Sequence, residues 1–158
     1  MDTALNCNIG FIGGGNMAQA LIGGLISRGL APNRITVSDP VEQMRACLAE
    51  KQVQVTEDNL VAIQEADIVL FAVKPQVLAS VLKPLKGLLQ GKLVISIVAG
   101  AEISTIAKLL DTDRIVRVMP NTPALVQTGA HGLYATDAVD AHDRALASQV
   151  LAATGLTL

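Results

Sequence analysis

Short apolar runs alternate with helix-patterned stretches along almost the whole chain. That alternation restricts the fold more than any other feature. The runs are NIGFI (8–12), RITVS (34–38), VQV (53–55), DIVLFAV (67–73), LVISIV (93–98) and IVRVM (115–119). Near-continuous apolar runs such as DIVLFAV and LVISIV suit strands covered on both faces. Between the first two runs, Met17, Leu21 and Leu25 recur every four residues with Ile22 and Ile26 beside them. This spacing predicts an amphipathic helix stopped near Gly29. Pro40 opens a second helix towards Glu50. Residues 76–89 form another, with Val77, Val81 and Leu85 on one side and Pro84 kinking or shortening it. Helices follow over 102–111, with Ser104 a possible local cap, and over 138–153, ended by Gly155. GLYAT (132–136) is a candidate seventh strand, and LTL (156–158) reads as a strand that has only begun. Strand–helix alternation at this spacing implies right-handed crossovers and a parallel sheet. The core fits that architecture, because 51% of the 158 residues are hydrophobic and only 2% aromatic. The stop inside an apparent strand suggests a piece of a longer protein.

The first strand runs straight into IGFIGGGNMA (9–18), which contains Gly13-x-Gly15-x-x-Ala18 at the opening of a helix. In a dinucleotide site each position has a task. Gly13 permits the tight turn, Gly15 lets the backbone approach a pyrophosphate, and Ala18 allows close helix–strand packing. Gly14 is the variable residue between them. The N–H groups of Asn16 and Met17 would face the phosphates at the helix N-terminus. A purely structural turn is the bland alternative. The second strand ends at Ser38-Asp39-Pro40. There Asp39 either accepts hydrogen bonds from an adenosine ribose, favouring NAD over NADP, or caps the helix after Pro40. Arg45, one helical stretch on, is the basic residue within possible reach. The fold class expected is therefore α/β: a Rossmann-like, mostly parallel sheet with helices on both faces, one dinucleotide-binding domain over 1–158.

Ligands in such sheets lie at the carboxyl ends of the strands. Three more strand ends carry unusual residues. AVKPQ (72–76) places Lys74 and a rigid Pro75 after a buried run. VAGAE (98–102) is small enough for something flat to lie close. MPNTPA (119–124) brackets Asn121 and Thr122 with prolines, which restrain the backbone at low entropy cost. Each is also readable as a solvated lysine or an ordinary turn; together they would line one groove.

Other function classes have little support. The net charge of −2 and the scarcity of aromatic residues argue against nucleic-acid binding. Residues 3–27 carry no formal charge, but they lack a basic leader and contain Asn6, Asn8, Asn16, Gln19 and a glycine cluster, so they read as strand, turn and helix rather than a targeting or membrane segment. Cys7 and Cys47 show no ligand-like spacing and suit a reducing, cytoplasmic compartment; no metal site is expected. His131 and His142 read as structural or exposed residues.

The segments IGFIGGGNMAQALIGGL, AVKPQ, SIVAGAEIS and RVMPNTPALVQTGAHGLYA resemble the N-terminal half of the pyrroline-5-carboxylate reductase family, over almost the whole chain. The resemblance implies a cofactor domain followed by a helical domain, absent here, that forms a homo-oligomer and supplies much of the substrate pocket. It implies dinucleotide contacts at Ile12, Gly13, Gly14, Gly15, Asn16, Met17, Ser38, Asp39, Asn59, Ala72, Val73, Lys74, Pro75, Ile97, Val98 and Ala99. It further implies NADPH or NADH as cofactor, and 1-pyrroline-5-carboxylate as a small-molecule substrate reduced to L-proline by hydride transfer to its imine. Family members using NADPH often carry a neutral or basic residue where Asp39 stands, so the two cofactors remain open. Asn121, Thr122 and Lys74 are the residues expected near substrate and nicotinamide. The alternatives are a β-hydroxyacid or 6-phosphogluconate-type dehydrogenase, and a non-catalytic NAD(P)-sensing module. The stretch 1–158 alone is expected to be inactive or nearly so.

Overall fold

A computed structural model describes residues 7–98, 100–120, 129–152 and 155–157. Eight strands form one sheet in the order β3-β2-β1-β4-β5-β6-β7-β8. The strands are β1 (Ile9–Ile12), β2 (Ile35–Ser38), β3 (Gln54–Thr56), β4 (Ile68–Phe71), β5 (Leu93–Ser96), β6 (Ile115–Pro120), β7 (Gly129–Ala135) and β8 (Gly155–Thr157). β1 to β6 are mutually parallel. β7 runs antiparallel to β6, and β8 runs parallel to β7. The reversal follows from chain length: only residues 121–128 separate β6 from β7, too few for the crossover that a parallel pair needs.

Among the described residues, six α-helices cover the sheet: α1 (Asn16–Ser27), α2 (Glu42–Ala49), α3 (Asn59–Gln64), α4 (Leu78–Leu82), α5 (Ile103–Leu110) and α6 (Ala141–Leu151). Alternate residues of each strand face opposite ways, and the core divides accordingly. Ile9, Phe11, Ile68, Leu70, Leu93, Ile95, Val116 and Val118 pack with Leu21, Ile22 and Leu25 of α1, Leu48 of α2, and Val150 and Leu151 of α6. Ile12, Val69, Phe71, Val94 and Ile115 pack with Ala62 and Ile63 of α3, Leu78 and Leu82 of α4, and Ile106 and Leu110 of α5. The expected doubly covered sheet is what forms.

Several local expectations are corrected. Pro40 does not open α2; the helix starts at Glu42, because Asp39 Oδ1 accepts the Val41 N–H at 2.8 Å and holds residues 39–41 in a turn. Ser104 does not cap α5, which begins one residue earlier behind Glu102, with no side-chain cap. The stretch 76–89 is not one helix: 3₁₀ turns at Pro75–Val77 and Lys83–Leu85 flank a short α4. Pro84 lacks the N–H that a continuing α-helix would require. The final strand begins at Gly155, the residue expected only as a helix stop.

Candidate functional site

The chain leaves β1 for β2 and β3 on one side, then returns to β4 on the other. This is a topological switch point, and the crevice at its carboxyl end is the preferred ligand position in such sheets. Backbone hydrogen bonds continue past the strand ends and fix that edge. Gly13 N donates to Ser38 O at 2.8 Å, Asp39 N to Thr56 O at 3.0 Å, Ala72 N to Ile12 O at 2.8 Å and Ile97 N to Phe71 O at 3.1 Å. Residues distant in sequence are thereby brought to one edge: 12–17, 38–39, 59, 72–75 and 97–98.

The three glycines of the turn differ in kind. Gly13 has φ +103°, and a Cβ there would stand 2.7 Å from the Ala72 carbonyl oxygen. Only glycine fits such a position. Gly14 is buried, and a Cβ would meet Leu48 Cδ1 at 2.7 Å. Gly14 is packed against α2 and hydrogen-bonded at both ends, which the sequence reading of it as a spacer did not foresee. Its N–H donates to Asp39 Oδ2 at 2.8 Å, and its carbonyl accepts from Gln19 Nε2 at 2.9 Å. Around Gly15, a Cβ would meet no atom of the described residues within 4 Å, so this side of the turn is open.

Gly15 is the N-cap of α1, in extended conformation and with no side-chain cap, and the first turn of the helix holds no acidic residue. Asn16 is exposed and Met17 half-buried at that end. The leading N–H groups of α1 therefore present a partial positive charge beside open space. That cradle fits a pyrophosphate.

Asp39 is buried, and both carboxylate oxygens are engaged, Oδ2 by Gly14 N–H and Oδ1 by Val41 N–H. The expected cap of the following helix is not formed, since α2 starts behind Val41 with no side-chain cap; Asp39 instead closes the turn over 39–41 and reaches across to the glycine turn. Ser38 Oγ donates to Asn59 Oδ1 at 2.5 Å, joining the end of β2 to the start of α3. Arg45 reaches this corner: its Nη1 donates to the Asp39 carbonyl at 2.8 Å and lies 3.9 Å from Glu57 Oε2.

On the other side of β1, Ala72 and Val73 are half-buried, and Lys74 and Pro75 exposed, where the chain leaves β4. Ile97 and Val98 are buried after β5, with Val98 N donating to Ser96 Oγ at 3.3 Å. Ala99, Asn121 and Thr122 lie outside the described residues. Pro120, the residue before Asn121, ends β6 at the same edge. His142 is exposed on α6, as expected. Among the described residues no cluster of His, Cys, Asp and Glu could hold a metal ion, and no helix is long and apolar enough to cross a membrane.

Two contributors were missed by unaided sequence reading. Gln19 braces Gly14 from inside α1; its position five residues on, one helical turn into α1, was the available signal. Asn59 was reached only through resemblance. Its signal was Asp58, whose Oδ1 accepts the Leu60 N–H at 2.9 Å and caps α3, bringing Asn59 to the edge.

Comparison with known proteins agrees with this geometry. Residues 8–100 match the family model described as NADP oxidoreductase coenzyme F420-dependent. A pyrroline-5-carboxylate reductase of Pasteurella multocida is 46% identical over 156 residues, covering 95% of this chain and 57% of that protein. The chain thus spans a little over half the length of such relatives. The structure of a pyrroline-5-carboxylate reductase from Coxiella burnetii superposes with TM-score 0.92 at 41% identity, over 98% of this chain and 58% of that one. The Plasmodium falciparum pyrroline carboxylate reductase with NADP bound gives TM-score 0.84 at 28% identity, over 97% and 57% of the two chains. The chain therefore belongs to the NADP oxidoreductase coenzyme F420-dependent family, and it bears out the expected likeness to pyrroline-5-carboxylate reductases along nearly its whole length.

Proposed function

We propose that this chain is the nucleotide-binding part of a pyrroline-5-carboxylate reductase, which uses NADPH or NADH to reduce a cyclic imine to L-proline. The observation that carries the reading is the uncapped N-terminus of α1 behind the open face of Gly15, at the switch point of a sheet so similar to reductases of known structure. When bound, the nicotinamide would supply the hydride. The chain's own work is to hold and orient. The α1 N–H groups of Asn16 and Met17 take the pyrophosphate, and the turn from Ile12 to Gly15 fits beneath it. Ser38, Asp39 and Asn59 form the adenosine end. Ala72, Val73, Pro75, Ile97, Val98 and Ala99 line the way towards the nicotinamide. Lys74, exposed at the mouth of β4, contributes positive potential towards phosphate or a substrate carboxylate. Asn121 and Thr122, next in sequence after β6, would serve the substrate and nicotinamide.

Little proton machinery is required, because a protonated imine is already electrophilic and catalysis rests mainly on positioning. By the same reading the remaining length of the reductase supplies dimerisation and the other substrate wall. The test is pyridine-nucleotide-dependent proline formation by the complete reductase containing this chain, with Asn121→Ala beside it. The expected result is proline formation in the parent and a loss of turnover in the variant larger than its loss of stability. No proline formation in the parent overturns the reading. Unchanged turnover in the variant removes Asn121 from the site.

A further inference from the structure

Resting on the nucleotide-binding reading above, we infer that Arg45, rather than Asp39, decides between NADPH and NADH, and that Asp39 is a positioning residue for the glycine turn.

An acidic residue at the end of the second strand ordinarily accepts the ribose hydroxyls and disfavours a 2′-phosphate. Here that carboxylate has other work. Its two oxygens each receive a backbone N–H at 2.8 Å, from Gly14 and from Val41, and the residue is buried. Two charge-assisted hydrogen bonds spread the negative charge over backbone dipoles that point at it. Asp39 thus ties the β2 end to the β1 turn and is poorly placed to report on the 2′ position.

Arg45 occupies the corner that a 2′-phosphate would face. Its guanidinium spans the ends of β2 and β3, with one N–H on the Asp39 carbonyl and a loose ion pair to Glu57 at 3.9 Å. The carbonyl contact fixes the planar fork in place while leaving other N–H donors for an anion. Glu57 has a side chain 77% exposed, so its carboxylate can move aside at little cost. A phosphate brings up to two negative charges and a bidentate geometry that matches the fork.

The experiment is fluorescence titration of NADPH and of NADH into this chain, as parent and as Arg45→Met, Arg45→Lys, Glu57→Gln and Asp39→Asn. Arg45→Met is expected to raise Kd for NADPH about tenfold or more, the loss of a charge-assisted contact, with little change for NADH. Arg45→Lys should retain part of the NADPH preference. Glu57→Gln, on an exposed side chain, should tighten NADPH and leave NADH unaltered. Asp39→Asn should weaken both nucleotides by a similar factor, since an amide cannot accept from two N–H groups on its two ends. If Arg45→Met and Glu57→Gln move both nucleotides equally, or if Asp39→Asn alone changes their ratio, the assignment falls while the reductase reading stands. Binding of neither nucleotide by the parent would overturn both.

Discussion

At the scale of single residues, the triple glycine separates into positions closed in by the fold and one, Gly15, that faces open space. Gly13→Ala forces an L side chain to φ +103° and into the Ala72 carbonyl. We expect a loss of about 2 kcal/mol or more in denaturant unfolding. Gly15 already has φ −73° and ψ −169°, which alanine adopts freely, and its Cβ would meet open space. Gly15→Ala should change stability by no more than about 0.5 kcal/mol. It should nevertheless weaken nucleotide binding, because the methyl would stand where the pyrophosphate approaches. Equal affinity in parent and Gly15→Ala would show that this open face is not the phosphate cradle. The sequence pattern legibly marked Gly13 and Gly15. It could not mark Gly14, whose constraint comes from Leu48 and Asp39, brought against it by tertiary packing.

The two thiols make a second test at this scale. Burial raises the pKa of Cys7, nearby Asp67 raises it further, and Arg34 lowers it. Cys47 is exposed. A neutral alkylating reagent should therefore label Cys47 well before Cys7. The folded state holds the Cys7 proton more tightly than the unfolded chain does, so it binds more protons over the thiol titration range. This stabilising contribution is present below the ordinary thiol pKa and is lost as pH rises through the raised one. Unfolding midpoints should fall more steeply in the alkaline range for the parent than for Cys7→Ala; parallel curves would refute the linkage.

Among the elements, α6 is tied to the start of β6 by an ion pair as well as by its apolar face. Arg114, just before β6, donates three hydrogen bonds to Asp143 in the first turn of α6, Nη2 to Oδ1 at 2.8 Å and to Oδ2 at 2.9 Å, and Nε to Oδ2 at 3.1 Å. The Asp143 side chain is only 6% exposed and that of Arg114 32%. Removing one partner strands a buried charge, whereas replacing both does not. Arg114→Met should cost about 3 kcal/mol in chemical denaturation, and the double variant Arg114→Met/Asp143→Leu should recover part of it. An additive double variant would mean that the pair is not coupled. The end of α5 offers the opposite sign. Asp111 sits in the left-handed region at φ 55°, where an L side chain is strained. Asp111→Gly should stabilise by about 0.5–1 kcal/mol, read as a higher melting temperature.

Element legibility tracks the kind of signal. The buried strands β4 and β5 are plain from continuous apolar runs, which mark strands covered on both faces, and the helix α1 from its apolar period, which reports which face is covered. Helix starts were less legible. Pro40 looked like a first helical residue, but the Asp39 side chain captured the Val41 N–H and delayed the helix to Glu42. Side-chain-to-backbone bonds of this kind compete with regular structure on equal local terms. The direction of β7 was illegible for another reason: orientation is set by partner strand and connection length, neither of which leaves a periodic trace.

For the molecule as a whole, the parallel run of β1 to β6 brings the ends of six strands to one edge, so residues from 12 to 98 meet along that edge. That convergence let turns remote in sequence be read together, although the hydrogen bonds among Ser38, Asn59, Gly14 and Gln19 came only from the fold. A ligand that binds only the folded state stabilises it by mass action, about 2.7 kcal/mol at a hundredfold excess over Kd. NADPH at that concentration should raise the melting temperature by about 5–10 °C for a chain of this size. No shift with either nucleotide would count against a formed site.

The double restraint on Gly14 also sets a clock. Its N–H is held by Asp39 and its carbonyl by Gln19 before any nucleotide arrives. Deuterium should therefore enter the Gly14 amide slowly in the free protein, while the uncapped amides of Asn16 and Met17 exchange fast. Adding nucleotide should slow only the latter pair. The loop would then pay almost no ordering entropy on binding, and association would be limited by encounter rather than by rearrangement.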